Sequence, residues 1–96
     1  MDHGRVNRAI GHALSVRRKD AGKTMAQMWD SLGWGRMTYR RTEEGAREIS
    51  VADVLEFAEL LGIEPEDLVL DILRRLKTND FPQPTPASEM RRQLGL

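Results

Sequence analysis

Apolar residues recur along this chain at spacings that mark out five helices separated by glycine-containing breaks. Val6, Ala9, Ile10, Ala13 and either Val16 or Arg17 share one face of a first helix, from about Val6 to Asp20, and Gly22 follows as a stop. Its other face carries Arg5, Arg8, Arg18 and Lys19. Thr24 suits the N-cap of a second helix, in which Met25, Met28, Trp29 and Leu32 stand at i, i+3, i+4 and i+7 before Gly33.

The segment Gly33-Trp34-Gly35 is short enough for a sharp reversal, and a third helix is expected from Arg36 to about Glu44, stopped by Gly45. The 3.6-residue period turns Tyr39 and Thr42 inward, with Glu43 alongside, and sends Arg36, Met37, Arg40 and Arg41 outward. Ser50 caps a fourth helix, with Asp53 three residues on completing part of a capping box; its apolar positions are Val51, Val54, Leu55, Phe57, Ala58 and Leu61, and Gly62 ends it. Pro65 opens a fifth helix that runs to about Lys77, with Glu66 and Asp67 placed to favour its N-terminus.

Helix five is apolar over more of its circumference than one core requires, through Leu68, Val69, Leu70, Ile72, Leu73 and Leu76. The surplus points to a second buried surface, most simply a homodimer contact through Leu70, Leu73 and Leu76; the competing reading is that the C-terminal segment folds back over it. The division expected is a helical domain over 1–77 and a flexible, Pro-rich tail over 78–96, with 88–94 as a helical turn or two or a disordered end. The prolines of that tail do not continue a helix, and a segment of this kind suits a protein partner on which it folds.

Charge changes the picture more than composition does. The chain is formally neutral, but residues 1–47 hold ten Lys/Arg against five Asp/Glu, and residues 48–96 hold the reverse. A polyanion-facing surface therefore belongs in the first half. At 96 residues the chain supports one small domain, and the absence of cysteine excludes disulfides and thiolate metal sites. No apolar run approaches the roughly 20 residues needed to cross a bilayer, and the start MDHGRVNRAI lacks the apolar stretch of a secretory signal. These features point to an all-helical cytoplasmic domain, nucleoid-associated if it binds DNA, with no membrane contact. Catalysis finds no support: His3 and His12 lack partners at metal-ligand spacing, no nucleophile, base and acid assemble, and no cofactor or metal is expected. Glu43 reads as a structural partner of Arg17 or Arg18, and Trp29 and Trp34 as packing residues.

The run LGWGRMTYRRTEEGAR followed by VADVLEFAELLGIEPEDLV resembles the lambda-repressor-like, xenobiotic-response-element family of helix-turn-helix regulators. The resemblance covers about residues 6–70 and rests on L-G before helix three, E-x-G-x-R after it and the closing A-x-x-L-G-I-x-P-x-D-L. It implies an all-α, compact five-helix domain with helix three in the DNA major groove, and a dimer on a near-palindromic operator. By position, Arg36, Met37 and Arg41 face base edges, while Arg40, Arg47, Lys23 and Thr24 meet phosphate. Arginine suits both roles, since its planar fork bridges guanine O6 and N7, so a G/C-containing half-site is expected. Three positions depart from the family pattern: Met25 replaces a Gln that often contacts phosphate, Trp29 a small Ala between the two helices, and Ile49 a Pro. The Gln contact is lost and the helix pair is expected to be spaced differently. The function implied is a sequence-specific transcriptional repressor; the alternative is a protein-interaction module such as an antitoxin, anti-repressor or adaptor.

Overall fold

Five helices account for the regular structure among the described residues, 1–84 and 94–95 of the computed structural model. They are α1 (His3–Asp20), α2 (Met25–Leu32), α3 (Arg36–Glu44), α4 (Val51–Leu61) and α5 (Pro65–Thr78). Residues 85–93 and 96, where a C-terminal helical turn is expected, lie outside the described residues.

Local chemistry sets the ends. Thr24 Oγ1 accepts the Gln27 N–H at 3.1 Å and the Gln27 side chain accepts the Thr24 N–H at 2.8 Å, so α2 opens on a full capping box. Ser50 and Asp53 make the same reciprocal pair at α4, at 3.0 and 3.2 Å, which shows that the shorter aspartate reaches. The first helix begins at His3 rather than Val6, because the Asp2 carboxylate accepts the Arg5 N–H at 3.0 Å and so caps a turn that apolar spacing does not mark. That hydrogen bond, ahead of the field of Arg8, holds the Asp2 carboxyl below its usual value.

α1 is the central strut: α3 packs on one side of it and α5 on another, while α2 packs on α3 and α4 on α5. Leu14, Met28, Tyr39, Phe57 and Leu68 are essentially sealed from solvent where these elements meet, each aliphatic side chain contributing about 1.5–3 kcal/mol. On the face of α1 that apolar spacing marks, Ala9 and Ala13 are fully buried. Val6, Ile10, Val16 and Arg17 are only half-buried, whereas Asn7, Gly11, Leu14 and Arg18 are buried at i, i+4, i+7 and i+11. Arg18 is thus interior, where it faces the end of α3.

Two glycines permit this packing. A Cβ on Gly11 would overlap the carbonyl oxygens of Thr42 and Glu43, so only glycine lets α1 pass so close to the end of α3. Gly45 ends α3 at φ 70° and lies against the backbone of Arg8, where a side chain would be both strained and obstructed.

α5 is held by an ion cluster rather than by its leucines alone. Asp71 accepts from Arg17 of α1 at 3.1 Å and from Arg74 and Arg75 of its own helix at 3.0 Å each. Burial opposes the charge on Asp71, but the hydrogen bonds from Arg17 and Arg74 and the field of Arg75 hold its carboxyl below the usual carboxylate value. Leu68 and Ile72 are buried and Leu76 packs partly against the core, while Val69, Leu70 and Leu73 stay exposed. Phe81, three residues beyond α5, is buried beneath the Arg5 guanidinium at 5.5 Å and leaves Leu70 and Leu73 uncovered.

Candidate nucleic-acid interface

α2 and α3 meet across Gly33, which closes α2 in the left-handed conformation at φ 69°, then Trp34 and Gly35. Trp34 turns inward, half-buried, with its ring 5.6 Å from Phe57 of α4 and 6.4 Å from Tyr39 of α3. Trp29 meets the other side of Tyr39 edge-on at 6.5 Å. Trp29, where the resemblance implies a small alanine, therefore packs on the aromatic core of the helix pair.

The inward face of α3 is pinned by charge. Arg18 of α1 donates to both oxygens of Glu43, at 2.6 and 3.1 Å, and also to the Lys23 carbonyl at 2.9 Å. Tyr39 donates its hydroxyl to Glu43 Oε2 at 2.5 Å. Arg18 and Glu43 are nearly dry, with side chains 9% and 7% exposed, so each is held by the other and by hydrogen bonds that satisfy the remaining polar atoms. The Glu43 bond raises the Arg18 pKa, and burial followed by the same carboxylate raises that of Tyr39, so the phenol stays protonated. Arg18 is thus Glu43's partner, while Arg17 is taken by Asp71.

With the inner face fixed, the outer face is set by helical geometry. Arg36, Met37, Arg40 and Arg41 are all exposed, and none of the three arginines donates a hydrogen bond or forms an ion pair within the described residues. The residues expected at phosphate divide differently. Thr24 is exposed at the N-terminus of α2, where its oxygen accepts the capping bond and its hydroxyl hydrogen stays available. Lys23 is half-buried and donates to the Leu60 carbonyl at 2.7 Å, tying the start of α2 to α4. Arg47 lies over the Trp34 ring at 4.9 Å, donates to Thr42 Oγ1 at 3.1 Å and stands 3.8 Å from Asp53. Arg47 thus buttresses the turn at Trp34, and Lys23 the start of α2 against α4.

Leu70, Leu73 and Leu76 do not form one patch. Leu73 borders a cleft between α4 and α5 of about 180 Å³, almost wholly apolar, with Val51, Leu55 and Val69 around it and Ile10 and Ile49 beneath. Leu70 faces the other way, toward Arg17 and Arg74, and Leu76 turns toward the core. Apolar spacing in α5 alone does not find Val51 and Leu55, because they come from another helix. Asp71 and Arg75 are also missed by apolar counting, although an acid followed by arginines at i+3 and i+4 within a leucine-rich helix is a readable signal.

No helix among the described residues is long and apolar enough to cross a membrane. No curated protein matches the chain. A family model described as a helix-turn-helix domain matches residues 9–70, well over half of the chain and nearly the span of the resemblance. This chain belongs to the helix-turn-helix domain family, and that membership suggests a DNA-binding regulator.

Proposed function

We propose that this chain is a sequence-specific transcriptional repressor that inserts α3 into the major groove and acts as a homodimer on a near-palindromic operator. The observation that carries the reading is the division of α3. Its inner face is locked to α1 through Arg18, Glu43 and Tyr39, and its outer face presents three arginines without internal partners. A rigidly held helix with free guanidinium forks has what base recognition requires. Arg36 and Arg41 read guanine edges, Met37 offers an apolar contact to a thymine methyl, and Arg40 and Thr24 take phosphate. Lys23 and Arg47 hold α2 and the turn in place and contribute positive field, since their hydrogen bonds are already made inside the protein, Lys23 to Leu60 and Arg47 to Thr42.

The second copy docks on the α4–α5 cleft, where Val51, Leu55, Val69 and Leu73 expose apolar surface that one chain does not cover. Two recognition helices then lie about one turn apart on the duplex, roughly 34–36 Å, and occlude a promoter. The same cleft supports a second reading, in which a segment of another protein fills it and the fold is an interaction module such as an antitoxin or adaptor.

The test is selection from a random pool of DNA duplexes in moderate salt. Enrichment of a two-fold symmetric site with G/C-containing half-sites is the expected outcome, and recovery of no sequence favours the interaction module. Arg41→Ala costs about 1–3 kcal/mol of cognate affinity and relaxes one operator position. Equal losses on cognate and random DNA contradict its base-reading role.

A further inference from the structure

The chain beyond α5 is drawn back toward the helix-turn-helix. Asn79 turns it at φ 54°, and the Asp80 carboxylate accepts from Arg74 and Arg75 at 3.4 Å each. Phe81 is buried under Arg5, and Gln83 donates to the Phe81 carbonyl at 2.9 Å. Pro82 to Pro84 consequently form one wall of a groove whose other walls are α1, the start of α2 and the end of α3. Its volume is about 550 Å³, within the range of sites that hold small organic molecules, roughly 300–1,000 Å³.

The lining has two chemical parts. Val16, Met25 and Pro84 supply apolar surface, and Arg8, Lys19 and Arg40 supply positive charge. None of these three cations donates a hydrogen bond or forms an ion pair within the described residues. Arg8 Nε is moreover the one buried side-chain polar atom among those residues with no hydrogen-bond partner. A buried donor left unpaired costs free energy, which a rotation of the Arg8 side chain toward an anion in the groove recovers. The carboxylates nearby do not serve: Glu43 is consumed by Arg18 and Tyr39, and Glu44 is exposed on the rim and bonds to none of the three.

We infer that the groove between α1, α3 and Pro82–Pro84 is an effector site for an amphipathic organic anion, its carboxylate or phosphate held by Arg8, Lys19 and Arg40 and its apolar body against Val16, Met25 and Pro84. Arg40 is common to this groove and to the outward face of α3. The ligand and DNA therefore compete for it, and occupancy lowers DNA affinity, a coupling that rests on the DNA-binding reading above.

The test uses the full chain, isotopically labelled, with octyl phosphate as probe and inorganic phosphate and octanol as controls for charge alone and apolar surface alone. Octyl phosphate is expected to shift amide resonances around Arg8, Lys19, Met25, Arg40 and Gln83, to bind at least tenfold more tightly than either control, and to weaken at least tenfold in Arg8→Ala. On the operator selected above, it is expected to raise the apparent Kd of the parent and to have little effect on Arg8→Ala, whose DNA binding without probe is retained. Equal binding of octanol or of inorganic phosphate overturns the ligand class. Shifts centred on the α4–α5 cleft overturn the site. If a duplex perturbs the groove and octyl phosphate does not, the groove takes DNA phosphate and the effector assignment fails. If octyl phosphate binds in the groove of a protein that selects no DNA, the site stands and the repressor reading falls.

Discussion

Two neighbouring arginines of α1, Arg17 and Arg18, organise two regions of this molecule in different ways. Arg18 faces α3 and meets a single carboxylate, Glu43, in a dry setting completed by the Tyr39 hydroxyl. Arg17, about 100° further round the helix, faces α5 and shares Asp71 with Arg74 and Arg75, which also reach Asp80. In the first cluster every partner is buried and has no substitute. In the second, Asp71 is buried but Arg17 and Arg74 are open to water, at 33% and 55% exposed, and the positive charge is supplied three times over. The region that presents α3 is thus held by one unduplicated contact set, and the region that closes the core is held redundantly.

The largest expected effect comes from breaking the unduplicated set. Glu43→Ala leaves Arg18 buried without its counter-ion and Tyr39 without its acceptor, and a loss of about 3–5 kcal/mol in chemical denaturation is expected. A loss below about 1 kcal/mol would mean that solvent readily enters to replace the carboxylate, and the contrast between the two regions would fail. Asp71→Ala is expected to cost less, about 1–3 kcal/mol, because only Arg75 is left both buried and short of a partner, and it keeps its bond to the Asp80 carbonyl.

Acid sharpens the comparison. The Asp71 carboxyl is held below its unfolded value, so its stabilisation is full above about pH 4 and is lost as pH falls through the folded value. The parent should therefore lose stability below about pH 4 more steeply than Asp71→Asn, which has no proton to take up there. Asp2 contributes an acid dependence of the same sign to both proteins, because its cap bond lowers its pKa as well. Parallel curves for parent and variant would remove Asp71 from the account. The smallest effect is expected for Arg74→Ala: Arg74 itself is exposed, and its contacts to Asp71 and Asp80 are duplicated by Arg75, so the melting temperature should stay close to that of the parent.

Much of the fold was legible in advance because its signals are local. Thr24 and Ser50 cap the helices they mark, Gly33, Gly45 and Gly62 stop theirs in the left-handed conformation, and Pro65 starts α5. The outward position of Arg36, Met37, Arg40 and Arg41 followed from the period of α3 once Tyr39 and Thr42 were placed inside. A pairing of Glu43 with Arg17 or Arg18 was legible, but the choice of Arg18 and its burial were not, since periodicity counts apolar residues and this stripe of α1 reads Asn7, Gly11, Leu14 and Arg18. Its reason lies 25 residues away in Glu43, as that of Arg17 lies 54 residues away in Asp71. Lys23 and Arg47 looked like free cations for the same reason: Leu60 and Trp34, which engage them, are neighbours only in space.

By itself, then, the amino-acid sequence determined the five helices, their stops and the arginine-bearing face of α3, because backbone capping, glycine φ and helical period act within a few residues. The tertiary structure alone decided that Arg18 takes Glu43 while Arg17 takes Asp71, that Leu73 joins Val51 and Leu55 while Leu70 and Leu76 turn elsewhere, and that Phe81 brings Pro82–Pro84 beside Arg8 and Lys19. Those outcomes depend on how far apart the packed helices stand, and at Gly11 that distance is set by the absence of a single Cβ.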